Sequence, residues 1–448
     1  MGGRVMNDAA LGALPSAPVR PSGRKVWAWA MWDWGTQPLN TVIITFVFSV
    51  YITGSAFGSE NDTSIALSVS TMIAGLIVAV LAPVLGQASD RTGRTVRNLR
   101  WQTWAIALLA ACLFFVAPAP GYLWLGLGLL GVASIVGEIA NVNYYALIDQ
   151  VATKKDVGRV SGFGWGLGYL GGIVALMLLY FGFIAPEVGL FGVSSHDGLD
   201  IRVSMLVCAV WIVGFTIPTF VALRDTPRPP ALPVGILASY RMLWASLKRL
   251  WVEDRNTARF LVASALFRDG LSGVFAFGAV LAAQTFGFSA GEVIMFGAAA
   301  NVVAGVSTIG FGFLDDRIGP KRVILLSLIA LCGLGLGVFL LHDGGQIVFW
   351  TLGLAMCAFV GPAQSASRSF LARAIPDGRS GEIFGLYATT GRATSFLSPS
   401  LFGLAIAVGA AITRSETTQY FGILGIVVVL VAGLILMLAV TDPEQSHA

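Results

Sequence analysis

Five ionisable side chains stand out inside long apolar runs: Asp33, Glu138, Arg268, Asp269 and Arg392. A charge at hydrocarbon depth is costly, and it persists where it pairs, faces water or binds a ligand. Three acids and two arginines in one low-dielectric space must pair or neutralise. The chemistry open to them is charge exchange. An acid, Asp33 or Glu138, alternates between a proton and an arginine partner, while Arg268 or Arg392 holds a carboxylate. A fixed ion pair between two packed bodies would use the same residue types. Two amides accompany the charges: Asn141 follows Glu138 by about one helical turn, and Gln364 lies 223 residues beyond Asn141.

Catalytic chemistry is not indicated. There is no G-x-x-x-x-G-K-[S/T] loop, which argues against ATP-driven work. His196, His342 and His447 stand outside the apolar runs, so no histidine relay is expected through them. Cys112, Cys208, Cys332 and Cys357 each lie alone in an apolar run, without metal-ligand or disulfide spacing. The expectation is a protein that is not an enzyme and needs no metal or cofactor.

The elements that must carry these residues follow from composition. The 448 residues are 56% hydrophobic and 12% charged, against about 25% charged in soluble domains. Mean hydropathy is +0.79. A membrane span takes about 20 mostly apolar residues, and twelve stretches qualify. In the first half they are 26–53, 64–87, 100–117, 122–148, 160–185 and 202–223. In the second half they are 258–285, 289–314, 322–341, 347–374, 381–410 and 419–440. The fold class is therefore an all-α membrane protein of twelve spans in two pseudo-symmetric six-helix bundles, residues 26–223 and 258–440. A tail at 1–25, read as mature chain and not as a signal peptide, a linker at 224–257 and a tail at 441–448 complete the division.

Lysine and arginine set the orientation. Arg202 and Arg414 fall on one side and Arg268 and Arg392 inside spans. The other 24 of 28 lie on the opposite side or at its span ends. Both termini share that basic side, which makes them cytoplasmic. Arg268 and Arg392 sit about ten residues in from the basic ends, roughly 15 Å at 1.5 Å per residue. The net charge of +4 thus reflects topology and not nucleic acid. In the linker, Pro227, Pro229, Pro230 and Pro233 precede Ile236, Tyr240, Leu243, Leu247 and Leu250 at helical spacing, a pattern suited to a helix on the inner membrane surface. Trp27, Trp29, Trp32 and Trp34 are expected as interface anchors.

Two motifs occur twice. Gly86-x-x-x-Asp90-Arg91-x-Gly93-Arg94 returns as Gly312-x-x-x-Asp316-Arg317-x-Gly319, with Asp316 226 residues after Asp90. Gly158-x-x-x-Gly162 returns as Gly381-x-x-x-Gly385, 223 residues on. Each G-x-x-x-D-R-x-G stretch is read as a turn whose glycines pass the chain from one helix to the next, with an Asp able to sit at a helix N-terminus. Glycines 164, 168 and 172 on span 5, and Gly297, Gly305, Gly310 and Gly312 on span 8, offer close approach between helices. A membrane chain of two homologous halves predicts a secondary transporter.

The doubled G-x-x-x-D-R-x-G resembles the loop motif of the major facilitator superfamily, over the whole chain. That resemblance implies two bundles rocking about a central cavity lined by spans 1, 4, 7 and 10, with Asp90 and Asp316 latching the cytoplasmic side. Three further stretches narrow it: Trp32-Asp33-Trp34, Arg159-Val-Ser-Gly-Phe-Gly-Trp-Gly-Leu-Gly-Tyr-Leu-Gly-Gly172, and Gly361-Pro-Ala-Gln-Ser-Ala-Ser-Arg368 through Gly385-Leu-Tyr387. With Asp269-Gly270, they look like the vacuole-effluxer family, whose fungal members export amino acids from the vacuole, and its bacterial relatives. The chain departs from those relatives at Gly35-Thr36-Gln37 and at Ile148-Asp149, which weakens transfer of a substrate.

The expected function is alternating-access export of an amino acid or related small polar metabolite, with protons as the candidate coupling ion. The expected setting is a bacterial plasma membrane, and the expected state a monomer in the lipid bilayer. Two alternatives stand beside it. One is a cation-coupled sugar symporter, disfavoured because 64–87 carries no acid. The other is a non-transporting scaffold or receptor, disfavoured because only eight residues follow Val440.

Overall fold

The computed structural model describes residues 22–58, 60–226, 236–375, 379–414 and 418–442. The expected tails over 1–21 and 443–448, His447 and the linker prolines lie outside these residues. Among the described residues, eleven helices are long and apolar enough to cross a membrane. Thr95–Cys112, with Arg97 and Arg100 in its first two turns, occupies the place of span 3 and brings the number to the expected twelve. In hydrocarbon every backbone N–H and C=O must be satisfied within the chain, which makes helices of the apolar runs.

Spans 1 to 6 pack on one another, as do spans 7 to 12. The two sets meet where span 5 lies on spans 8 and 10, and where span 11 lies on spans 2 and 4. Two prolines interrupt the helical ladder, and the carbonyl that each one orphans finds a partner elsewhere. Pro38 follows Gly23–Pro38 with a π-helical stretch, Leu39–Phe46, and the free carbonyl of Trp34 accepts Trp211 Nε1 at 3.3 Å. Pro83 of span 2 frees the carbonyl of Ala79, which accepts Thr389 Oγ1 of span 11 at 3.0 Å.

The linker helix, Ile236–Glu253, lies beside span 2, with Tyr240 Oη donating to Val80 O at 3.1 Å. Trp244 and Trp251 are exposed on its outer face. Asp254 then caps span 7, accepting from Thr257 N at 3.0 Å.

The repeated motif is not the turn that its sequence suggests. Span 2 stays helical through Thr92 and span 8 through Ile318. The turning residues are Gly93 and Gly319, at φ 65° and 86°. Gly86 and Gly312 serve close approach instead. A Cβ on Gly312 would lie 2.9 Å from Gly158 O, and one on Gly381 would lie 2.6 Å from Gly86 O.

Candidate functional site

At the basic end the two repeated motifs prove to be each other's partners. The first-turn N–H groups of a helix lack intrahelical acceptors and favour an anion. Span 5 begins at Val157, and Asp316 of span 8 accepts from Gly158 N at 2.9 Å and Arg159 N at 3.1 Å. Span 11 begins at Ser380, and Asp90 of span 2 accepts from Gly381 N at 3.0 Å and Glu382 N at 2.8 Å. Each aspartate caps a helix of the opposite half. The glycines of the G-x-x-x-G pairs make this approach possible: a Cβ on Gly162 would stand 2.6 Å from Thr308 O, and one on Gly385 would stand 2.6 Å from Pro83 Cα. The motif arginines take no part in the caps. Arg91 reaches Met242 Sδ of the linker helix at 3.6 Å, while Arg94 and Arg317 are exposed.

Charges that sequence reading passed over reinforce this end. Arg373, 2% exposed, holds Asp315 at 2.6 Å and Asp316 at 3.1 Å, and its Nε donates to Lys154 O at 2.9 Å. Ser369 donates to Asp315, and Ser380 to Asp149.

Deeper in, Asp33 of span 1 pairs with Arg368 of span 10 at 3.6 Å. Arg368 is 1% exposed, and its Nε and Nη2 donate to Ser161 Oγ at 2.9 Å and Ser161 O at 2.6 Å. The rings of Trp29, Tyr145, Tyr144 and Trp165 surround its guanidinium at 4.9, 5.2, 5.7 and 5.7 Å, an aromatic cage that favours a cation. Trp29 and Trp32 are therefore core residues, both stacked on Tyr144, rather than interface anchors. Trp27 alone of the four is largely exposed, as an anchor would be. Arg368 was overlooked because it lies near the basic end of its apolar run, where an arginine reads as a topological marker. Its place six residues inside the expected span was the available signal.

Beyond these pairs lies a cavity of about 380 Å³. It is lined by Glu138 of span 4, Arg268 and Asp269 of span 7, Gln364 of span 10, and Arg392 and Ser395 of span 11. Glu138 and Arg392, each about one-third exposed, form an ion pair across the two sets of spans. Asn141 sits with Glu138 in an adjoining recess. Asp269 does not pair with an arginine: its Oδ2 accepts from Ser398 N at 2.7 Å. Asp33 and Asp269, alike in sequence setting, thus differ in role.

Arg268 stacks over the Tyr387 ring at 3.7 Å and donates to Tyr387 O at 2.9 Å. Among the described residues no carboxylate lies within ion-pair distance of it. Of the seven expected site residues, five line one cavity, Asn141 adjoins it, and Asp33 belongs to the buried pair beneath.

A family profile described as vacuole effluxer, Atg22 like, matches residues 48–447. An uncharacterised transporter of the major facilitator type from Bacillus subtilis (strain 168), YxiO, is 26% identical, covering 94% of this chain and 95% of that protein. Autophagy-related protein 22 of Botryotinia fuckeliana (strain B05.10) is 28% identical, covering 69% of this chain and 53% of the relative. The chain thus spans about half the length of that fungal protein.

Among solved structures, the proton:xylose symporter XylE superposes with TM-score 0.69 at 11% identity, covering 94% of this chain and 97% of that one. A bacterial homologue of the iron transporter ferroportin, in an outward-facing state, gives 0.66 at 15%, covering 93% and 98%. These two likenesses show the fold.

Proposed function

Because this chain belongs to the vacuole effluxer family and has the major facilitator fold, we propose that it exports an amino acid or related small polar metabolite by alternating access. Being a membrane transporter and not an enzyme, it does its work by moving charge and helices. The observation that carries the substrate reading is Arg268. It lines the cavity without a carboxylate partner among the described residues, while the other cavity arginine, Arg392, is engaged by Glu138. A planar guanidinium offers a substrate carboxylate two parallel donors. Asp269 on the same cavity supplies negative charge for an ammonium group. The volume suits a small solute.

Glu138 is the better candidate for proton exchange. It is partly exposed and lines the cavity, whereas Asp33 faces an arginine already fixed by Ser161 and four rings. Protonation of Glu138 would release Arg392 and with it one tie between the bundles. Asp90 and Asp316, seated on span 11 and span 5, serve as the cytoplasmic latch. This reading takes the basic side as cytoplasmic, the protein as a monomer in a bacterial plasma membrane, and the packed basic end as the side closed toward the cytoplasm.

Counterflow of labelled leucine, glutamine, glutamate and lysine in proteoliposomes, with and without a pH gradient, tests the reading. Arg268→Ala is expected to abolish exchange of every amino acid that the wild type carries. Glu138→Gln should keep exchange and lose gradient-driven accumulation. Exchange of a sugar and of none of these amino acids would overturn the substrate reading in favour of a symporter for neutral solutes.

A further inference from the structure

Span 11 is interrupted beside the cavity, and the interruption has a cause in the sequence. Its first piece is Ser380–Thr394 and its second Leu397–Thr413, with Ser395 and Phe396 between them. Pro399 has no N–H, so the carbonyl of Ser395 lacks its helical donor, while proline is well tolerated in the first turn of the helix that follows. Both flanks of the break are pinned to span 7. Thr394 Oγ1 donates to Ala265 O at 2.9 Å, and Ser398 N donates to Asp269 Oδ2 at 2.7 Å. Ala265 and Asp269 are one helical turn apart. One turn further, a Cβ on Gly273 would stand 3.0 Å from Ser398 Cβ, so the glycine lets the break come close.

The two pieces keep different company. The first lies against span 2 through Gly381, Gly385 and the Thr389 hydrogen bond to Ala79, and reaches span 4 through Arg392 and Glu138. The second packs on span 12, where a Cβ on Gly425 would stand 2.7 Å from Phe402 N. The first piece thus lies in the seam between the bundles while also meeting Arg268 of span 7 through Tyr387, and the second packs within a single bundle. Span 5, the counterpart in the first half, is one unbroken helix over Val157–Leu179.

We propose that span 11 is a hinged gate and that Asp269 is the positioning residue of its hinge. The Asp269 carboxylate caps the second piece from span 7 and holds it still. The first piece swings on Ser395 and Phe396 when Glu138 and Arg392 part, Asp90 releases Gly381 and Glu382, and Tyr387 leaves Arg268. Arg392 and Ser395 line the cavity at the joint, so the cavity and the basic-end seal share one moving element. This goes beyond the transport reading above, because it needs no particular substrate.

Hydrogen–deuterium exchange of the full chain in lipid nanodiscs tests it. Asp269→Ala should speed exchange about fivefold over 395–401, the joint and the capped start of the second piece, as loss of a helix cap does, and leave 405–413 and span 12 at wild-type rates. Asp269→Asn, whose side-chain oxygen still accepts from Ser398 N, should restore the wild-type pattern. Pro399→Ala gives the Ser395 carbonyl a donor and should slow exchange over the same stretch. A rise spread across all spans in Asp269→Ala would make Asp269 a general structural residue and end the proposal. So would unchanged exchange in either alanine variant. If Asp269→Ala does not fold, Pro399→Ala decides by itself.

Discussion

Arg368 and Arg268 are both span arginines on which aromatic side chains pack, yet their surroundings assign them different work. Arg368 has a carboxylate, a serine and four rings as fixed neighbours, and a buried pair of this kind is strongly destabilised when one member is removed. Asp33→Asn is therefore expected to cost about 3–5 kcal/mol, read as a lower midpoint of thermal unfolding in detergent. The double variant Asp33→Asn/Arg368→Met should recover most of that loss, since the uncompensated charge is gone. A double variant no more stable than Asp33→Asn would show that the charge pairing is not what Asp33 contributes. Among the described residues Arg268 holds only a ring and a carbonyl, and so remains available to a ligand.

Among the helices, absent side chains matter as much as those present. Gly162 and Gly385 allow backbone-to-backbone contact between opposite halves. A leucine at either position should keep the basic end from sealing. A cysteine placed at Gln364 would then react faster with a thiol reagent added from that side; no change in reactivity would show that the seam tolerates the bulk.

A separate device precedes the membrane-crossing stretch of span 8, Met295–Ile318. Ser289 and Glu292 form a capping box, with Ser289 N donating to Glu292 Oε2 at 2.8 Å and Glu292 N to Ser289 Oγ at 3.3 Å. The Ser289 donors hold the Glu292 carboxyl below its ordinary value. A lowered folded value gives stability that is present above the unfolded value and lost as pH falls through the folded one. Amide exchange at the start of span 8 should therefore quicken below about pH 4, and Glu292→Gln should remove that dependence.

Across the whole molecule the two seams are related by the repeat but are not equal. Asp316 has Asp315 and Arg373 beside it, whereas the corresponding places in the first half hold Ser89 and Gln150. The seam of spans 5, 8 and 10 also keeps the hydrogen bonds from Arg373 to Lys154 O and from Arg368 to Ser161. Asp90→Ala should thus open the basic end more than Asp316→Ala, measured as spin-label distances across the two seams. Equal broadening would show that the extra charges do not stiffen one side. The hinge in span 11 lies on the seam that has Ser89 and Gln150 in place of the Asp315–Arg373 pair.

Twelve spans, a basic side, two homologous halves and the family are properties of local composition and repeat spacing, and the chain's own residues determined them. So did the set of candidate charges, because an acid or arginine inside an apolar run is visible without coordinates. Which charges meet was decided by the tertiary structure alone. Glu138 and Arg392 are 254 residues apart, and Asp90 and Gly381 are 291 apart. Hydropathy scores each residue against lipid or water and says nothing about such partners. The same limit hid Arg368 and Arg373: near a span end, an arginine in water and one buried on a carboxylate have identical sequence surroundings. It also made the repeated motif read as a turn, since the seat that Asp90 and Asp316 occupy exists only once the opposite half is packed against them.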